Sequence, residues 1–298
     1  MKLIKPSYRI IEPTGYTIDD IYKSIELAGR VSHKSEDKIT ETSAKDFVGR
    51  MLNMKHLSVC EFGTIYLYAR SIWDLDAENY IRNPYSEVVY NNHNYYVTTN
   101  YRVLVENNLL DDLKYLCEPT EYHHKRYTVK FILDRGILAE FTRHRRFSFM
   151  AESSRYCNYS KSKFNSELTF IKPYWIDELP KGTNHTKDDW GSLFYEFYYE
   201  ATEKGKSEGF NVSPERNFLF SLQTSEQLYF SLLKNGWKPE QARNILPLCL
   251  KTELYMCGFA EDWEQFFKLR DDKQHAHPQA YELAHPLHEE FIKRNYLK

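Results

Sequence analysis

Residues 143–156 read Arg-His-Arg-Arg-Phe-Ser-Phe-Met-Ala-Glu-Ser-Ser-Arg-Tyr. Four arginines, a histidine and three serines within fourteen residues bring together charged forks and hydroxyls, both suited to phosphate oxygens. If its first residues are extended, Arg143 and Arg145 point one way and His144 the other, so one short segment holds two ligands on opposite faces. Taken alone, such a run is more often a solvated basic stretch with scattered ion pairs. The rest of the chain decides between these readings.

Upstream, Tyr127 to Leu133 reads as a strand, and Leu138 to Arg145 continues as helix or strand. Nearer the start, Thr17 to Ala28 reads as a helix, with Thr17 as N-cap, Asp20 completing a capping box, Ile18, Ile21, Ile25 and Ala28 on one face, and Gly29 as the stop. A second helix fits Ser43 to Met54. Glu61 to Ala69 alternates with a period of two, as a strand does. Ser86 to Tyr90 and Tyr95 to Asn100 read as a hairpin across Asn91-Asn92-His93-Asn94, whose asparagines tolerate positive φ. Leu104 to Leu116 looks helical. Downstream, a polar stretch through Asn184 leads into a helix over about 188–204 carrying Trp190, Leu193, Phe194, Phe197 and Tyr198. The last third reads as mostly helical, with Pro239 at a helix start and Gln241 to Leu269 as a helix kinked at Pro247. No Ser/Gly-rich linker separates the halves. The expectation is therefore one α/β domain over residues 1–298, with long insertions at about 70–125 and 160–190.

The whole-chain properties narrow the function classes. The length of 298 residues allows a sizeable core and excludes peptide hormones and disulfide miniproteins. Forty basic against forty-two acidic side chains leave a net charge of -2, so nothing chain-wide seeks a polyanion. The 42% hydrophobic and 28% charged fractions are those of a folded globular protein. Five cysteines lie singly at 60, 117, 157, 249 and 257, without a CxxC pair, and read as reduced thiols. No signal peptide is visible and no stretch approaches a membrane span of roughly 18 apolar residues, so a cytoplasmic protein with no membrane partner is expected. Twenty-four tyrosines and eighteen phenylalanines suit base or flavin stacking, but strands and cores use them too.

Arg143-His144-Arg145, seven residues, then Ser153 resembles the RHR-x7-S signature of the flavin-dependent thymidylate synthases. Around it, in that family's order, stand Arg30-Val31-Ser32, His56-Leu57-Ser58 with Glu61, Glu140, Ala242-Arg243-Asn244-Ile245-Leu246-Pro247, Leu269-Arg270 and His277-Pro278-Gln279. The resemblance covers most of the chain apart from the two expected insertions. It implies a fold of the thymidylate synthase-complementing-protein type, α/β (α+β) with a mainly antiparallel sheet flanked by helices. It also implies a homotetramer with active sites shared between subunits, engaged in dTMP biosynthesis. The implied reaction takes a methylene from methylenetetrahydrofolate to dUMP and reduces it to methyl with FAD, which NADPH recharges.

Uracil C5 is a poor nucleophile, and a cation against the ring carbonyls raises its reactivity. Arg270 matches the family's ring-activating arginine, although an arginine ending a helix also interacts well with the helix dipole. The resemblance assigns dUMP contacts to Glu140, Arg143, Glu152, Ser153, Ser154, Arg155, Arg243 and Arg270. It assigns FAD contacts to Ser32, His56, Ser58, Arg143, His144, Arg145, Glu152 and Gln265. The chain departs from the family in three places: Ala151 stands where an acid is usual, with Glu152 one place later, and Phe259 and Glu261 stand where an asparagine and an arginine touch FAD. The extra arginine, Arg146, is an alternative holder of the FAD tail. No cysteine has the Pro-Cys-His setting of the folate-only synthases, and Ser153 has no evident base to make it a nucleophile.

Two other classes compete. A single-stranded nucleic-acid binder would use residues 143–156 with Phe147, Phe149 and Tyr156 as stacking platforms. A metal-dependent hydrolase would use His275 and His277 with His285 or His288, or His123-His124, but these spacings are poor for a helical metal face and no HExxH occurs. The synthase reading expects neither nucleic acid nor metal.

Overall fold

The computed structural model describes residues 1–71, 74, 75, 77–176 and 213–297. The helix expected over about 188–204 lies outside the described residues. In chain order the strands are β1 (Lys2–Ile4), β2 (Ser7–Ile11), β3 (Thr64–Ala69), β4 (Glu87–Asn91), β5 (Asn94–Asn100), β6 (Arg126–Asp134), β7 (Ser148–Ala151), β8 (Thr169–Ile171) and β9 (Lys251–Phe259). The α-helices are α1 (Ile18–Arg30), α2 (Ser43–Asn53), α3 (Ala77–Ile81), α4 (Tyr101–Glu106), α5 (Arg135–Phe141), α6 (Pro214–Lys234), α7 (Pro239–Ala242), α8 (Ala260–Arg270) and α9 (Pro278–Lys293). The chain divides into two compact units: Pro6–Asn158 with Lys251–Lys298, and Met1–Lys5 with Tyr159–Leu250.

In the larger unit, four strands form a sheet in the order β2-β6-β9-β7 and three form another in the order β3-β5-β4. Every pairing in both sheets is antiparallel, as the mainly antiparallel expectation requires. The capping box of α1 forms as expected: the Asp20 amide donates to Thr17 Oγ1 and the Thr17 amide to Asp20 Oδ2. The hairpin forms too, closing with Asn91 opposite Asn94. Asn92 and His93 take the turn with φ of 48° and 65°, the left-handed values a two-residue hairpin turn demands.

Three expectations fail. Leu104 to Leu116 is not one helix: α4 stops at Glu106, Asn108 turns left-handed at φ 57°, and Leu110–Tyr115 resumes as a 3-10 helix. The first residues of the 143–156 segment are not extended but form successive turns, with amide bonds from Arg143 to Glu140, His144 to Phe141 and Phe147 to His144. Gln241 to Leu269 is not a kinked helix but α7, a 3-10 turn over Arg243–Ile245, β9 and α8.

The last error has a definite cause. On β9, Leu254 and Met256 enter a core with Phe131, Phe141, Trp263 and Phe266, whereas Tyr255 and Cys257 enter another with Ala28, Val31 and Phe62. The period of two persists, but both faces are apolar, so the strand reads as a continuous hydrophobic run, which periodicity alone does not separate from a buried helix.

The smaller unit pairs β1 with β8 in parallel, Lys2 opposite Thr169. Its long helix α6 starts with Pro214 behind the N-cap Ser213, whose side chain accepts from the Arg216 amide.

Candidate active site

One hydrogen-bonded group of sequence-predicted residues surrounds Arg270, the last residue of α8. Its Nε donates to His144 Nε2 at 3.1 Å, one terminal nitrogen to Glu140 Oε2 at 2.7 Å, and the other to the Glu140 carbonyl at 3.0 Å. Because Nε2 accepts, the His144 proton sits on Nδ1. Burial, followed by the charge of Arg270, pushes His144 down from 6.5 to about 4, so the ring is neutral and able to accept. The aromatic edges of Phe266 and Phe147 hold it in place. The three acceptors leave Arg270 one free hydrogen on each terminal nitrogen.

The turns after α5 separate the signature residues by exposure, and not through the extended alternation expected. His144 turns inward, whereas Arg143 and Arg145 are exposed and form no ion pair among the described residues. Arg146 is committed instead, with Nε 3.0 Å from the buried Asp262 and a terminal nitrogen 3.2 Å from Glu87.

A second group joins the signature serine to the loop after α1. The Ser153 amide donates to the Ser32 carbonyl at 3.1 Å, and Ser153 Oγ accepts from the Arg155 amide at 3.3 Å. Ser154 is buried. The Arg155 guanidinium lies over the Tyr156 ring at 4.4 Å, and that ring stacks on His33 at 4.3 Å. Glu152 is 1% exposed and its Oε2 accepts from Lys251 Nζ at 2.8 Å, while its carbonyl accepts from Arg135 at 3.1 Å.

This anchor belongs to a buried charge network that the sequence reading missed. Glu253 lies within 2.6 Å of Lys251 and Lys130 and 2.9 Å of Lys34. Although burial opposes it, these lysines hold the Glu253 carboxyl well below the usual carboxylate range. Lys251, Glu253 and Tyr255 alternate along one face of β9, a period-two signal hidden by reading that segment as helix.

The remaining predicted residues are placed as follows. His56, Ser58 and Gln265 are exposed on the larger unit. Arg243 lies in the 3-10 turn after α7, in the smaller unit. Phe259 is buried at the start of α8, and Glu261 lies 2.8 Å from His124 Nδ1. Gln279, at the start of α9, donates to Asp134 at 2.7 Å, and Asp134 caps α5 through the Ile137 amide. Burial pushes the Cys60 and Cys117 thiols up to about 11. His285 and His288 both meet Asp271, and among the described residues no group of three or more such side chains is arranged to hold a metal ion.

A flavin-dependent thymidylate synthase of Synechocystis is 29% identical over 147 residues, 49% of this chain and 57% of that protein. A probable flavin-dependent thymidylate synthase of Paramecium bursaria Chlorella virus 1 is 30% identical over 172 residues, 56% of this chain and 66% of that protein. The matches thus span less than two thirds of either relative. A UMP/dUMP methylase, PolB of Streptomyces cacaoi, in a structure with 5-Br dUMP, superposes with a TM-score of 0.42 at 16% identity, covering 98% of this chain and 93% of that one. The sequence model described as thymidylate synthase complementing protein matches residues 105–294, a span that contains Glu140, the 143–156 segment, Arg243 and Arg270, and the chain belongs to that family.

Proposed function

We propose that this chain converts dUMP to dTMP by reductive methylation, with methylenetetrahydrofolate as carbon donor and FAD, recharged by NADPH, as hydride source. The observation that carries the reading is Arg270, a guanidinium fixed on three sides by Glu140 and His144 with two hydrogens still to give, in a member of this family. A pre-oriented cation costs no reorganisation when charge develops on a uracil carbonyl. Aimed at that oxygen, Arg270 stabilises the enolate-like ring and raises the nucleophilicity of C5. A neutral His144 serves this role better than an imidazolium, which would repel the guanidinium.

Ser153, Ser154 and Arg155 serve as phosphate and base contacts, with Arg143 between the ligands, and Arg243 serves the same role in a site shared between subunits. Glu152 acts through the loop it anchors, since its carboxylate is engaged by Lys251. The exposed Arg143 and Arg145 fit the diphosphate of a dinucleotide, with Ser32, His56, Ser58 and Gln265 as further contacts. Phe259 and Glu261 do not fit that role, one being buried and the other paired with His124. Bound reduced FAD supplies the hydride that completes the methyl group. Elevated thiol pKa values at Cys60 and Cys117 support a route without a cysteine nucleophile. The reading includes a cytoplasmic homotetramer with shared sites.

Nothing favours the single-strand-binding alternative: Phe147 is buried in the core and Phe149 packs against it, which removes two of its three stacking platforms. The test is the visible spectrum of the purified protein with added FAD and then dUMP. A bound-flavin spectrum that dUMP perturbs is expected. A chain that binds dUMP but no flavin would overturn the reading.

A further inference from the structure

A cavity of about 340 Å³ lies in the larger unit, against β3, β6 and the inner face of α1, and no residue assigned above to dUMP or FAD lines it. Its walls are aromatic. Tyr16 meets Tyr66 edge-on at 5.7 Å, and Tyr127 stacks on Tyr296 at 4.1 Å. Tyr255, 1% exposed, also lines it.

The lining also holds two half-buried cations, Lys125 and Arg126. Lys125 donates to the Thr120 carbonyl and faces the Tyr66 ring at 5.7 Å. Arg126 donates to the Glu61 carbonyl, Thr64 Oγ1 and Ser148 Oγ at 3.1–3.4 Å. All of these partners are neutral, and among the described residues neither cation has a carboxylate oxygen within 4.0 Å. Asp262, which feels the charge of Arg126, is bound by Arg146 at 3.0 Å. The one acid among the described lining residues, Glu12, is engaged by Arg294 and Tyr296 at 2.6 and 2.8 Å. Burying positive charge without a counter-charge is unfavourable, and burial indeed lowers the Lys125 pKa.

We propose that this cavity is a second ligand site, for a small planar aromatic anion of one or two fused rings bearing a carboxylate. Flat tyrosine walls take the ring, Lys125 and Arg126 supply the missing counter-charge for the carboxylate, and the Tyr255 hydroxyl gives a hydrogen bond. The volume stands at the lower end of the small-molecule range of about 300–1,000 Å³. This inference is independent of the dUMP reading.

The experiment is calorimetric titration of the full chain with 2-naphthoate, with its neutral analogue 2-naphthamide as control. One saturable site per chain is expected, with the amide roughly tenfold weaker or more. Lys125→Gln should bring the carboxylate down to the level of the amide, and Tyr255→Phe, which removes only the hydroxyl, should weaken both compounds. Thermal melting confirms that each variant folds. Saturating dUMP and FAD should leave the titration unchanged. Absence of saturable binding, equal affinity for the two compounds, unaltered binding in a folded Lys125→Gln protein, or displacement by dUMP would each overturn the second site.

Discussion

Arg270 and His144 are 126 positions apart in sequence and 3.1 Å apart in space. Because Arg270 is assigned to the developing charge on the ring, Arg270→Ala should lower the rate of dTMP formation by about a hundredfold or more, while FAD affinity measured by flavin titration stays nearly unchanged. Equal losses in both would assign the arginine to the cofactor. His144 makes a separate prediction. Its folded pKa of about 4 lies below the ordinary 6.5, so between those values the unfolded chain binds more protons. Its stability contribution is therefore present above about pH 6.5 and is lost as pH falls toward 4. Denaturant titrations across that window should show a pH slope that His144→Gln reduces. The identities of Arg270, His144 and Glu140 were legible in the sequence from their place in a resemblance, but their mutual hydrogen bonds were not. Those bonds depend on the end of α5 meeting the end of α8, which no local signal encodes.

Among the elements, β9 matters most and was the least legible. The helix α1 was readable because its capping box and single apolar face are local, and the hairpin because Asn92 and His93 accept left-handed turns. The strand β9 is covered on both faces, so its alternation is invisible in a hydrophobicity pattern, and Pro247 suggested a kink where the chain was changing element. Two predictions follow from its packing. A Cβ at Gly258 would lie 2.5 Å from the Phe147 ring, so Gly258→Ala should cost about 1–3 kcal/mol through overpacking, read as a lower denaturation midpoint. Glu253→Gln removes the carboxylate shared by Lys34, Lys130 and Lys251. Losing one partner of a buried ion pair costs about 3–5 kcal/mol, and the partial solvent access of the lysines reduces the expected loss to about 2 kcal/mol. Because Lys251 also holds Glu152, the KM for dUMP should rise more than kcat falls. A variant with unchanged stability would show that water compensates the lysines fully.

For the molecule as a whole, the family match over residues 105–294 contains the segment from which the sequence reading started. Composition, charge balance and scattered thiols pointed to a folded globular protein but not to its function, which entered only with Arg143-His144-Arg145, Ser153 and their partners. The charge network around Glu253 and the tyrosine-lined cavity were hidden because they join side chains from separate elements. The most direct measurement is dTMP formation from dUMP, methylenetetrahydrofolate and NADPH by protein stripped of flavin, with and without added FAD. Formation that appears only with FAD, and persists when all five cysteines are replaced in a folded variant, is expected. Formation that proceeds without flavin, or that disappears from that folded variant, would contradict the proposed chemistry.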